Sequence, residues 1–330
     1  MRSIHRILVA LRDPAAEAAS ALVKAGQLAK ALGAELELFH AIATPLYVDG
    51  YGSSSPEMPR LERSMRARTL QELEQLAAGL KRQRIKVSVA AEWDFPAYEA
   101  IIRRANRIKA DLIVADQHDG RHVAAGLLHL TDWELLRLSP APVLLVKTPG
   151  PYRRPVVLAA VDPGHKNSKP AKLDERILLA SSAVTRALRG TLHALHAYVP
   201  FPFAAEPDVM LSQETVQQLQ AEATAAAQRG LDRALRAIRI PKARCHLVGR
   251  HPSDAIEQTA REIHSAIVVM GAISRSGLKR LFIGNTAERV LDQLSCDILV
   301  VKPAHFTGGV SRARRGVRLV AGASAPLPTW

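Results

Sequence analysis

Two stretches of this chain end alike, Pro140-Ala-Pro-Val-Leu-Leu-Val-Lys147 and Ser295-Cys-Asp-Ile-Leu-Val-Val-Lys302, and their closing lysines stand 155 residues apart. The same offset carries Ala110-Asp-Leu-Ile-Val-Ala-Asp116 onto Ser265-Ala-Ile-Val-Val-Met-Gly271. It also carries Thr131-Asp-Trp-Glu-Leu-Leu-Arg137 onto Thr286-Ala-Glu-Arg-Val-Leu-Asp292. A repeat of this length is a whole domain duplicated, so 330 residues divide into two copies of one fold. The expected domains are 1–148 and 156–303, with a linker at 149–155 and a basic, flexible tail at 304–330. Each copy is long enough for its own core, since a domain of about 150 residues buries about 70% of its unfolded surface.

Within each copy, short β-branched runs alternate with longer helical patterns. That alternation predicts parallel strands joined by crossover helices. The first copy's strands read 6–11, 35–40, 86–90, 111–115 and 142–146, and the second's 156–161, 191–196, 244–248, 266–270 and 297–301. The fourth and fifth are unbroken apolar runs, as strands covered on both faces should be. Helical stripes are expected over 14–32, 61–80 and 100–108, then over 173–188, 214–238 and 255–263. Gly33 and Gly190 stop the first helix of each copy, and Pro96 and Pro252 precede or open a helix. Loops rich in Pro follow the second strand of each copy, at 44–59 and 200–207, where a flap over a cleft fits.

Composition removes several classes of function. Two cysteines, Cys245 and Cys296, without a CxxC, leave no disulfide framework and no four-cysteine zinc site. No apolar run reaches the roughly 18 residues of a membrane span. The first apolar run is too short and interrupted for a secretory signal, so an integral membrane protein is not expected and the cytoplasm is the expected location. The net charge of +14 would attract phosphate-rich partners, which keeps a nucleic acid or an anionic lipid as an alternative partner. No nucleic-acid recognition motif accompanies that charge.

The chemistry concentrates in one stretch, Val269-Met-Gly-Ala-Ile-Ser-Arg-Ser-Gly-Leu-Lys-Arg-Leu-Phe-Ile-Gly-Asn-Thr-Ala-Glu-Arg289. A glycine ends the fourth strand, a loop follows, and Gly284-Asn285-Thr286 opens a helix. Glycines let backbone approach a ligand, and a helix start offers unpaired N–H groups and a positive dipole end to phosphate. In an open α/β sheet this loop lies beside the end of strand one, at the topological switch point. Strand one ends in Val161-Asp162-Pro163-Gly164, which places Asp162 to accept hydrogen bonds from a ribose.

This pattern resembles the universal stress protein family, whose nucleotide-binding members carry Gly-x2-Gly-x9-Gly-[Ser/Thr]. Here it reads Gly271-x2-Ser274-x9-Gly284-Asn285-Thr286, so Ser274 replaces a glycine and Asn285 a hydroxyl residue. The resemblance spans both copies, including the Asp-Pro after strand one and the Val-Lys ending, and is similar to the tandem (E-type) members. It implies two doubly wound five-stranded parallel sheets, strand order 3-2-1-4-5, of the adenine nucleotide alpha hydrolase-like type. It implies ATP or a related adenine nucleotide as ligand, and a bound ATP would bring Mg with it. The implied site comprises Ala160, Val161 and Asp162, Ala197 after strand two, Met270 and Gly271, then Ser274, Gly284, Asn285, Thr286 and Ala287. It further implies pairing through the fifth strands, here within one chain, with a homodimer as the other assembly.

The first copy departs further. Asp116 stands where Gly271 stands, Asp119 where Ser274 stands, and His129-Leu130 where Gly284-Asn285 stand. Carboxylates there repel a polyanion, so nucleotide is expected only in the second copy. His118 and His122 are weak candidates for a divalent metal, against a plain polar loop. Related adenylating enzymes use an SGGxDS-like loop after strand one; Asp13-Pro14-Ala15 and Asp162-Pro163-Gly164 do not match it. With no Walker lysine and no identifiable general base, no catalytic residue is assigned and the expectation is a stress-response binding or signalling protein, at most a slow ATPase. A metal-binding stress protein is the remaining alternative.

Overall fold

A computed structural model describes residues 4–15, 20–43, 46–48, 58–117, 130–164, 172–200, 212–272, 289–290, 293–317 and 319–321. The chain forms two compact units, Ile4–Ser139 with Gly308–Trp330, and Pro140–Thr307 with Met1–Ser3. These units do not divide the chain where the repeat does. The first copy's last strand and the linker go with the second unit, and the tail from Gly308 goes with the first.

The first unit runs β1 (Arg6–Ala10), α1 (Ser20–Leu32), β2 (Glu35–Ile42), β3 (Leu46–Val48), α2 (Met58–Arg82), β4 (Val87–Trp93), α3 (Ala97–Ile108), β5 (Leu112–Asp116) and α4 (Leu130–Leu138). Its main strands lie in the order β4-β2-β1-β5 and all pairs are parallel. The second unit runs β6 (Val143–Val146), β7 (Val156–Val161), α5 (Leu173–Ala187), β8 (Thr191–Tyr198), α6 (Gln213–Ala234), β9 (Cys245–Gly249), α7 (Pro252–Glu262), β10 (Ile267–Gly271) and β11 (Asp297–Val301). Beyond β6, its strands lie in the order β9-β8-β7-β10-β11, all parallel, which is 3-2-1-4-5 in the numbering of the repeat. The mixed α/β architecture is therefore the expected doubly wound one.

The unbroken apolar runs are deeply buried. Val268, Val269 and Ile298 are wholly buried, as are Ile113 and Val114 in the first unit. Burying a side chain of this size stabilises by about 1.5–3 kcal/mol, and these strands share each core with strand one, where Ile7, Leu8, Val157 and Leu158 are as fully buried. The helices end where the backbone turns left-handed. Gly33 (φ 66°) and its repeat counterpart Arg189 (φ 52°) do so after α1 and α5, and Lys109 (φ 55°) and His264 (φ 51°) after α3 and α7. Pro252 occupies the first turn of α7, while Pro96 caps α3 from outside.

β6 belongs with the second unit for a visible reason. It pairs antiparallel with β11, Leu145 opposite Ile298 and Val143 opposite Val300, so the two fifth strands lie side by side. Asp297, with no exposed surface, then fastens the chain that leaves β6. Its Oδ1 accepts the Lys147 and Thr148 amides and the Thr148 hydroxyl, each at 2.9 Å, and its Oδ2 accepts the Tyr152 hydroxyl at 2.5 Å. The Lys147 ammonium donates to the Leu294 carbonyl. A buried carboxylate held by four donors is satisfied rather than stranded. Burial first, and the Asp297 charge second, hold the Tyr152 phenol well above its usual pKa.

The tail is likewise held by specific contacts within the first unit. A side chain at Gly308 would stand 1.7 Å from the Leu138 carbonyl oxygen, so only glycine passes there. Further on, β12 (Leu319–Ala321) pairs parallel with β3.

Candidate functional site

In the second unit, β7 and β10 are neighbours and both end at the same edge of the sheet. β7 delivers Ala160, Val161 and Asp162 there, and β10 delivers Met270 and Gly271. β8 lies on the other side of β7, with His196 opposite Val161 and Ala197 next along the strand. The six described residues of the expected site are thus brought to one edge. Ser274, Gly284, Asn285, Thr286 and Ala287 lie outside the described residues, as do His118 and His122.

Local packing shapes this edge. The Asp162 amide donates to Asp174 Oδ1 at 3.0 Å, which ties the end of β7 to the first turn of α5. Gly164 lies exposed beside the same edge. A Cβ there would lie 3.9 Å from Asp162 Oδ1 and 4.0 Å from His196 Cε1. Gly230 of α6 lets that helix close on the turn, its would-be Cβ 3.3 Å from Pro163 Cγ. Met270 and Val161 are buried, while Ala160, Asp162, Ala197 and Gly271 keep partial exposure.

Gly271 carries a constraint that its sequence did not announce. A Cβ at this position would meet Leu173 Cδ2 at 2.7 Å and Ile177 Cδ1 at 3.1 Å. A Cβ there would make the Leu173 or Ile177 side chain shift, whether or not a ligand lies beside it. In the first unit the matching residue, Asp116, points its carboxylate to the start of α1, where Oδ1 accepts the Ala21 amide at 2.8 Å. The first copy thus has a carboxylate capping a helix N-terminus, the position where an anion could otherwise dock. Asp13 is folded back on its own turn, accepting the Ala15 amide at 2.9 Å.

The two strand-two histidines are pins rather than ligands in waiting. His40 Nδ1 lies 2.9 Å from the Leu11 carbonyl and His196 Nδ1 3.3 Å from the Val161 carbonyl. Each therefore presents an Nδ1 proton to the end of strand one. Burial lowers the His40 pKa below its usual value, so the ring is neutral at physiological pH. His193 and His246 stack at 5.3 Å on adjacent strands, their facing nitrogens 2.9 Å apart. Among the described residues no group of three or more His, Cys, Asp or Glu is placed to hold a metal, and no helix is long and apolar enough to cross a membrane.

Two features escaped the sequence: Asp174, whose only signal was an acidic pair at the start of α5, and the buried carboxylates Asp94 and Glu99 of the first unit. The family model described as the universal stress protein family matches residues 3–147 and again 156–302. The chain belongs to the universal stress protein family. This universal stress protein is 25% identical to universal stress protein E of Escherichia coli K12 over 321 residues, covering 92% of this chain and 96% of that one. It is 27% identical to universal stress protein E of Photorhabdus laumondii over 332 residues, covering 95% and 100%. Among solved structures, a functionally unknown protein of Pseudomonas aeruginosa PAO1 superposes with a TM-score of 0.67 at 24% identity, covering 92% and 94%. A universal stress protein of Archaeoglobus fulgidus gives 0.53 at 17%, covering 92% and 99%. The tandem, E-type arrangement is thus matched over most of the chain.

Proposed function

We propose that this universal stress protein is a stress-response binding protein that takes one adenine nucleotide, ATP or a relative, at the carboxyl edge of β7 and β10. The asymmetry at the end of strand four supports this most directly. Gly271 places no charge at the end of strand four in the second unit, whereas Asp116 places a carboxylate there in the first, already spent on a helix start. At that position the two copies of one fold therefore differ by one negative charge facing a polyphosphate.

Asp162, flanking the edge on β7, suits a ribose hydroxyl, and the small side chains of Ala160 and Ala197 leave room for a flat base. The phosphates fall to Gly284-Asn285-Thr286, where glycine followed by two polar residues in sequence offers backbone and side-chain donors. A bound ATP would carry Mg on its phosphates. The sequence around Gly271 to Thr286 offers no identifiable general base, so binding, with hydrolysis slow at most, is the expected activity.

The location expected is the cytoplasm, and antiparallel pairing of β6 with β11 leaves a monomer as the simplest assembly. Native mass spectrometry of the purified protein tests the binding. A single adenine nucleotide per chain, lost in Gly284→Val, is the expected result. A chain that carries none and shows no ATP affinity by calorimetry would overturn the proposal.

A further inference from the structure

The first unit holds a second recognition surface, built from charge. At the end of β4 and the start of α3, Asp94 and Glu99 are buried at 1% and 8% exposure. One buried cation, Arg103, serves both, donating from Nε to Asp94 Oδ2 at 2.7 Å and from Nη1 to Glu99 Oε2 at 2.9 Å. Two desolvated carboxylates against one guanidinium leave the cluster a positive charge short, which burial makes costly.

The chain's own C-terminal segment supplies it. The Arg315 amide donates to Asp94 Oδ1 at 2.8 Å and its Nη2 to Glu99 Oε1 at 2.8 Å. Its guanidinium also stands 6.0 Å from the Phe95 ring. Arg314 reaches Glu92 at 3.4 Å, and Arg103 Nη1 donates to the Ser311 carbonyl at 3.3 Å. The contact is peptide-like rather than a stray surface pair, because backbone and side chain of Arg315 are both read. β12 adds a strand to β3 a few residues further on, so a second, independent mode of peptide capture lies beside the first.

The other copy lacks this pocket. At the 155-residue offset, Glu92, Asp94 and Arg103 become Leu247, Gly249 and Gln258. Glu99 becomes Asp254, whose side chain is 52% exposed with Arg289 at 3.8 Å. The acidic pocket is therefore an addition to the repeat and not part of the shared fold.

We propose that this pocket is a receptor for a basic, strand-forming peptide, and that the chain's own segment from Gly308 to β12 is its resident, displaceable occupant. A partner that carries paired arginines ahead of a β-forming run competes for the same surface.

The test uses the full-length chain and a fluorescein-labelled peptide of the sequence 308–321. In the wild type, amide exchange at 311–315 is expected to be slowed against the free peptide, and the peptide binds weakly. Arg314→Ala with Arg315→Ala empties the pocket. Exchange at 311–315 then rises while that of β1 and β5 is unchanged, and the added peptide binds at least about tenfold more tightly. Adding Glu99→Gln to that double variant, which spares the Asp94–Arg103 pair, is expected to weaken the peptide again. Wild-type exchange at 311–315 as fast as in the free peptide overturns the proposal. So does peptide affinity that neither the arginines nor Glu99 alters, or a tail that docks only between two copies and gives a concentration-dependent dimer.

Discussion

A single methyl group decides what can stand at the end of strand four in the second unit. Gly271 abuts Leu173 and Ile177 so closely that Gly271→Ala forces one of them to move. Overpacking of this kind costs about 1–3 kcal/mol, which a urea titration of the variant should register as a lowered midpoint. The buried Cys296 makes a different prediction. Burial, reinforced by the neighbouring Asp297 charge, pushes its thiol up to about 11, from 9 in an exposed peptide. The native state therefore favours the protonated thiol. Its contribution is complete below pH 9 and is lost as pH rises from 9 through 11, by about 2–3 kcal/mol over that window. The raised Tyr152 phenol acts in the same direction. Stability measured across pH 8–11 should fall, and Cys296→Ser should flatten the alkaline part of the curve. A half-exposed Cys245 and a buried Cys296 also predict one thiol titratable in the native protein and two after unfolding.

At the scale of elements, the repeat preserves even unfavourable backbone. Lys109 and His264 occupy corresponding left-handed positions after α3 and α7, where glycine is the usual occupant. His264→Gly should therefore stabilise by about 0.5–1 kcal/mol, seen as a raised melting temperature. The strands and helices of the repeat were legible in the sequence because period and composition decide them, whereas β3 and β12 fall in stretches expected as a loop and a flexible tail. Ile267–Gly271 and Asp297–Val301 read as buried strands from their unbroken apolar runs. The helix expected over 61–80 is present as Met58–Arg82, and that expected over 214–238 as Gln213–Ala234 followed by a short 3-10 turn at Leu235–Ala237. The site was legible only in part. Sequence placed Val161, Asp162, Met270 and Gly271 at one edge, because parallel strands share a carboxyl end. It could not show that Gly271 answers to Leu173, or that Asp116 turns to α1, since both depend on side chains far away in sequence. The docking of Arg315 on Asp94 was hidden for the same reason: a basic, Gly-rich tail looks mobile until its acidic partner, 221 residues earlier, is seen.

At the scale of the whole molecule, repeat and folding unit are not the same object. The second unit takes β6 from the first copy, and the first unit takes the tail from beyond the second. Fragments cut at the repeat boundary should therefore be incomplete. A chain of 140–307 keeps β6 beside β11 and the bonds from Lys147 and Thr148 to Asp297. One of 150–307 loses them and leaves a buried carboxylate short of donors, a change worth several kcal/mol. Thermal melts by circular dichroism should place the shorter fragment at least about 10 °C lower; equal melting temperatures would show that β6 is dispensable.

The duplication also sets the central claim, that two copies of one fold share the work unequally. Titration calorimetry of the full chain with ATP in Mg-containing buffer addresses it most directly. The expected result is one nucleotide per chain, abolished by Gly284→Val and unaffected by Asp116→Asn. Two nucleotides per chain, none, or a single site that survives Gly284→Val would contradict it.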